Sequence, residues 1–178
     1  DPESSIYPRF CDARKEAMRY DTTIWAVLQS FGNYGNWARV PYSSELRVMS
    51  YLALLAGAKG LILYTYSDRN FRITDFPELY AGMKALPAEL ETVTPAVACG
   101  RFTRHLEGQD SLYSGSWEWN GKRITVVVNA GKKPAGFSVP AGSSGRAGIR
   151  IGKADNFRVS GGKLSGLLGA MDRIVIEE

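Results

Sequence analysis

The residues able to do chemistry in this chain cluster after two short, almost wholly apolar runs, Ile24 to Leu28 and Gly60 to Tyr66. The first run is followed by Gln29-Ser30-Phe31-Gly32 and the second ends in Tyr64-Thr65-Tyr66-Ser67-Asp68. Gln29 and Asp68 are hydrogen-bonding groups, Phe31 and Tyr66 are aromatic, and Trp37 and Arg39 lie in a Gly/Asn-rich loop beyond the first run. Such a set binds and orients a ligand; it does not by itself supply a nucleophile and base. The chain has no Gly-rich phosphate loop, no GxSxG elbow and no thiol–imidazole pair. The single histidine, His105, has no thiol or carboxylate at ligand spacing, so no metal site, cofactor or catalytic residue is assigned.

Runs that are apolar at every position suit a parallel sheet covered on both faces. Between them, Ser44 to Ala58 has the length of a helix, with a stripe of Leu46, Met49, Leu52, Ala53 and Ala56 and with Gly57 as its stop. Ser43 or Ser44 is its expected cap. Strand, helix and strand make a βαβ unit, whose ligands sit beyond the carboxyl ends of the strands. The loop Ser30 to Tyr42, with Phe31, Tyr34, Trp37 and Tyr42, is long enough to be a binding loop.

Upstream, residues 7–20 read as a helix with Phe10, Ala13, Ala17 and Tyr20 on one face. Downstream, Asp75-Phe76-Pro77-Glu78 resembles a capping box, and Leu79, Met83, Leu86, Leu90, Val93 and Val97 predict a helix over 76–97, kinked at Pro87. After Gly100 the periodicity changes to two. Leu112 to Trp119, Asn120-Gly121 and Arg123 to Asn129 form a hairpin signal. Further strands are expected near Gly136 to Val139, Gly148 to Ile151, Phe157 to Val159, Leu164 to Leu168 and Arg173 to Ile176, enough for a small antiparallel β-sandwich. The division falls at about Gly100, giving 1–100 and 101–178.

The chain has 178 residues and a net charge of +4, with 44% hydrophobic and 22% charged residues. Its basic residues are scattered, not gathered into a stripe, which argues against a nucleic-acid partner. No apolar run reaches the ~18 residues of a membrane span. Cys11 and Cys99 read as two buried thiols, with a disulfide or a redox role as the alternative, and the compartment stays open. Trp117 and Trp119 share a face of one strand and read as packing residues. His105 reads as a surface or interface residue. Two parallel strands and three helices leave sheet edges and faces open to water. The start at Asp1-Pro2-Glu3 therefore suggests the carboxyl-terminal part of a longer chain, the alternative being strands from a second chain.

The stretches Trp25-Ala-Val-Leu-Gln-Ser-Phe, Trp37-Ala-Arg-Val-Pro and Glu45 to Tyr66, with its ELR…LALLAGAKG…Y.Y pattern, resemble the end of a glycoside-hydrolase-like (β/α)8 barrel of the β-galactosidase-like kind. Many such barrels carry a β-sandwich next. The resemblance implies the last strands and helices of a TIM (β/α)8 barrel followed by a small antiparallel sandwich. Asp1-Pro2 would lie just past strand six, 7–20 would be helix six, Ile24 to Gln29 strand seven and Leu61 to Tyr66 strand eight. It also implies a nucleophilic carboxylate at the end of strand seven and an acid/base carboxylate at strand four. The strand-seven end here is Gln29, and an amide cannot serve as that nucleophile. Glycoside cleavage needs two carboxyl groups about 5–9.5 Å apart. The rim offers Asp1, Asp68 and Glu45, the last also suited to the first turn of its helix.

On this resemblance the partners are a carbohydrate and the remainder of the barrel, and the isolated chain is expected to be inactive. Gln29 is then either a strand-end amide bound to backbone or a contact to sugar hydroxyls. Asp68 is either a turn former or a substrate hydrogen-bonding group. Trp37 suits stacking on a sugar face, with Arg39 as a polar contact; of Tyr64 and Tyr66, one is expected in the core. A degenerate, non-catalytic carbohydrate-binding or scaffolding protein is the alternative, and an α/β domain completed by self-association a third.

Overall fold

The computed structural model describes residues 6–33, 37–68 and 70–178. Expectations that fell on Asp1-Pro2 and Tyr34 lie outside them. In chain order the elements are α1 (Tyr7–Arg19), β1 (Trp25–Gln29), α2 (Ser43–Leu55), β2 (Gly60–Tyr64), β3 (Ser67–Asp68), β4 (Phe71–Arg72), α3 (Pro77–Leu90) and α4 (Thr94–Cys99). Then come β5 (Arg101–Gln109), β6 (Leu112–Trp119), β7 (Lys122–Asn129), β8 (Ala135–Pro140), β9 (Gly148–Ile151), β10 (Asp155–Ser160), β11 (Lys163–Leu168) and β12 (Asp172–Glu177).

β1 and β2 pair in parallel, with Trp25 beside Gly60, Val27 beside Ile62 and Gln29 beside Tyr64. The connecting α2 completes the expected βαβ unit. Its cap is Tyr42, not a serine: the Tyr42 amide donates to the Glu45 carboxylate at 2.8 Å, while the Ser43 hydroxyl donates to the Glu78 carbonyl at 2.8 Å. The helix stops where Gly57 takes a φ of 107°, a left-handed value that glycine adopts without Cβ strain.

Helix α2 is the centre of the molecule. Leu46, Met49 and Ala53 pack with Ala26 and Leu28 of β1 in one core cluster. Val48, Tyr51, Leu52 and Leu55 pack with Trp117, Ile124, Val126 and Val128 in another. A helix apolar on two opposite faces is buried all round, and each fully buried leucine contributes about 1.5–3 kcal/mol.

The five-stranded antiparallel sheet, in order β5-β6-β7-β12-β9, faces α2 with one side and the three-stranded sheet β10-β11-β8 with the other. Along β7, Ile124, Val126 and Val128 point to the helix, whereas Val127 joins Leu112, Phe137, Leu164 and Ile174 between the sheets. The expected hairpin forms between β6 and β7 with Asn120 (φ 50°) and Gly121 (φ 73°) at the turn. Trp117 lies in the core against Phe102, ring centroids 4.8 Å apart.

Several expectations are corrected. The 76–97 helix is two helices. Pro87 is tolerated inside α3, and the break falls at 91–93, ahead of Thr94-Pro95 at the start of α4, where proline suits a first turn. Phe76, not Asp75, takes the cap position. The packed face of α1 runs through Tyr7, Phe10 and Ala17, while Ala13 and Tyr20 are exposed. Strand β2 ends at Tyr64, short of Tyr66. Strand β5 was not expected, because its mixed charged and apolar residues bulge twice against β6 and break the alternation. Neither thiol is buried: Cys11 is half-buried and Cys99 exposed, and both are free. Among the described residues no helix is long and apolar enough to cross a membrane, and no group of three or more His, Cys, Asp or Glu is placed to hold a metal ion.

Candidate functional site

Successive side chains of a strand point to opposite faces. Ala26 and Leu28 face α2 and are fully buried. Trp25 and Val27 face the other way and are 62% and 57% exposed, as Ile62 and Tyr64 of β2 are, at 45% each. Gln29 shares the parity of Trp25 and Val27 and sits in register with Tyr64. One face of the parallel pair is therefore packed, and the other presents an apolar row ending in Gln29 and Tyr64 at the carboxyl end. Two-sided apolarity was right as a pattern, but only one side is covered.

The loop after β1 folds back over this end. A Cβ on Gly32 would sit 2.1 Å from the Arg39 carbonyl carbon, so only glycine lets the two limbs of the loop approach. The closure sets Trp37 edge-on to Phe31, centroids 4.7 Å apart, and Phe31 edge-on to Tyr64 at 5.7 Å. Such pairs add about 0.5–1.5 kcal/mol beyond burial. Phe31 is buried beneath them, while Trp37 keeps 42% of its surface exposed. The Gln29 side-chain amide donates to the Phe31 carbonyl at 2.7 Å, which fixes its orientation and leaves its oxygen as an acceptor. The Tyr64 hydroxyl donates to Asp68 Oδ2 at 3.3 Å, across the turn that β3 and β4 close.

Of the expected site residues, Gln29, Phe31, Trp37 and Asp68 are brought together, the last through Tyr64. Arg39 and Tyr66 are not part of this group. Arg39 donates from Nη2 and Nη1 to the two Glu45 oxygens, each at 2.7 Å, and lies over the Tyr42 ring at 4.4 Å. That guanidinium holds the Glu45 carboxyl below the usual carboxylate range, and the Tyr42 amide assists. Tyr66 contacts Tyr80 of α3, centroids 6.2 Å apart, and is exposed. Neither Tyr64 nor Tyr66 lies in the core, contrary to expectation: Tyr64 projects from the uncovered face of β2, and Tyr66 lies past the end of that strand. Tyr64 is not among the expected site residues, and no local pattern marks it, since its pairing with Gln29 joins distant segments.

His105 is half-buried. Its Nε2 lies 2.9 Å from the Ser116 hydroxyl and 3.1 Å from Arg123 Nη2. Arginine only donates, so Nε2 accepts and the imidazole is neutral. Burial first, and the Arg123 charge second, lower its pKa. It belongs to a strand-to-strand network away from the rim.

No family model and no curated protein matches the sequence. Solved structures do match its fold. An Anoxybacillus alpha-amylase is 12% identical with a TM-score of 0.67, over 99% of this chain and 45% of that one. A Nostoc punctiforme debranching enzyme is 20% identical with a TM-score of 0.56, over 75% and 31%. A Clostridium acetobutylicum xylanase of glycoside hydrolase family 30, subfamily 8, is 14% identical with a TM-score of 0.51, over 90% and 43%. The chain spans 31–45% of the length of these structures. With its βαβ unit and the sheets that follow, it has a glycoside-hydrolase-like fold, that of part of the barrel-plus-β-domain enzymes.

Proposed function

We propose that this chain is the carboxyl-terminal portion of a glycoside-hydrolase-like barrel protein. Residues 1–100 would supply the last two barrel strands and 101–178 a β-sandwich. The observation that carries this is the uncovered face of β1 and β2. Its apolar row of Trp25, Val27 and Ile62 is what a barrel interior requires, and a monomer gains nothing by exposing it. A second apolar hollow of about 360 Å³, lined by Leu54, Leu61, Leu63, Leu86 and Leu90, flanks β2 and suits a further packed element. An upstream segment, or a second chain, would fill both.

Gln29, Phe31, Trp37 and Asp68, with Tyr64, then form one wall of a carbohydrate site at the carboxyl end of the strands, where barrel sites are built. The half-exposed indole of Trp37 stacks on the C–H face of a sugar ring. Gln29 and Asp68 bond its hydroxyls. Among the described residues the rim carboxylates are Glu45, held by Arg39, and Asp68, which accepts from Tyr64; the strand-four carboxylate that the resemblance implies would come from outside this chain. The isolated chain is therefore inactive. Assaying it on aryl-glycosides tests this, and sustained turnover by the purified chain would refute it. A reading frame upstream of Asp1 that encodes about six βα units, with a carboxylate at the end of the fourth strand, would support the first reading.

A second reading has the complete protein bind carbohydrate without cleaving it. The amide at Gln29, tied to the Phe31 carbonyl where a nucleophile is required, favours it. Sugar binding by the full-length protein without hydrolysis, weakened in Trp37→Ala, would select this reading.

A further inference from the structure

We infer that the cleft between the rim loop and the sandwich turn 130–136 is a subsite for a carboxylate-bearing sugar. The cleft has a volume of about 830 Å³ and is walled by Arg39 and Glu45 on one side and by Asp110, Lys132 and Lys133 on the other. That is the size of a site for one or a few sugar rings.

Its charges do not cancel. Arg39 and Glu45 neutralise each other through two 2.7 Å bonds. Lys132 and Lys133 remain against Asp110 alone, and among the described residues no carboxylate pairs with either lysine. The turn that carries them is fixed from below. Buried Asn129 donates to the carbonyls of Lys133 at 2.8 Å and Gly169 at 2.9 Å, and accepts from the Gly131 amide at 2.9 Å. The Ala130 amide donates to the Ser111 carbonyl and the Met171 amide to the Gly131 carbonyl, each at 2.9 Å. Two ammonium groups on a preorganised backbone lose less freedom on binding than they would on a mobile loop.

Lysines act as point charges for a carboxylate or a phosphate alike. The one arginine fork lining the cleft is already filled, and a carbohydrate at the rim selects a carboxylate-bearing sugar as the occupant. The inference rests on the rim being a carbohydrate site. Arg39 follows Trp37 by two residues, at most about 7 Å along the chain, which puts the edge of the cleft within reach of a glycan stacked on Trp37.

The test is calorimetric titration of the full-length protein with acidic oligosaccharides (oligogalacturonate, oligoguluronate, glucuronoxylan oligomers), each against its carboxyl-reduced counterpart. At least one acidic oligomer should bind about tenfold more tightly than its reduced form, the sum of two modest exposed ion pairs. Raised salt and the Lys132→Gln/Lys133→Gln double variant should both abolish that preference. Binding of the reduced oligomer and the melting temperature should stay unchanged. No acidic preference in the native protein, or a preference that survives the double variant, overturns the inference. Trp37→Ala should weaken acidic and reduced oligomers alike. If it changes neither while the lysine-dependent preference persists, the rim reading fails and the cleft stands.

Discussion

Glu89 of α3 accepts both Nε and Nη2 of Arg173, in the last strand, on its Oε1 at 2.8 and 2.7 Å. Its Oε2 accepts Arg47 of α2 at 3.0 Å. The side chains of Glu89 and Arg173 are 12% and 14% exposed, so one carboxylate holds three elements with little solvent screening. Removing it leaves Arg47 without its carboxylate partner and Arg173 with Asp172 alone, at 3.1 Å, in a partly dry pocket. Glu89→Ala should cost about 3 kcal/mol, read as a lowered midpoint in urea unfolding. A loss below about 0.5 kcal/mol would show that the network is no more than surface pairing.

Arg39 and Glu45 set the rim loop. The folded Glu45 carboxyl is more acidic than the unfolded one, first because of Arg39. Its contribution is therefore fully present above the ordinary carboxylate value and is lost as pH falls through the lowered folded value. Glu45→Gln should cost about 0.5–1 kcal/mol at neutral pH, since Arg39 is half exposed. The difference from the native protein should shrink in acid, and a difference independent of pH would contradict the pairing.

His105 gives a dependence at higher pH. Its folded pKa is lowered, so the neutral ring is favoured in the folded state. On acidification the unfolded chain takes up a proton, from its ordinary value of about 6.5, that the folded chain refuses. Stability is full above that value and falls below it until the folded value is reached. His105→Gln, which keeps a hydrogen-bonding group beside Ser116, should flatten the melting temperature between pH 7 and pH 5. An unchanged slope would place the effect elsewhere.

Trp37 separates ligand binding from folding. Its ring leans on Phe31 but remains substantially exposed. Trp37→Ala should cost about 1 kcal/mol of stability from the lost aromatic pair. In the full-length protein it should weaken oligosaccharide binding about tenfold or more, while Trp25→Ala, at the opposite end of β1, should leave binding alone. Equal losses from both would indicate a folding defect and not a stacking platform.

Much of the fold is local information. The apolar runs of β1 and β2, the helical period of α2, and the Asn120-Gly121 turn each follow from side-chain chemistry within ten or so residues. So does the gathering of Gln29 and Phe31 at a strand end. Register and closure are different in kind. That Gln29 stands beside Tyr64, and that α2 is sandwiched between a parallel pair and an antiparallel sheet, depends on contacts between distant segments. Composition has no way to express them. Arg39 shows the same limit at the rim, since its partner is fixed by how the loop closes on Gly32. The sequence by itself determined which stretches are greasy, which turn and which bond. Only the tertiary structure decided which of their faces meet, because a side chain's role depends on what the rest of the chain brings against it.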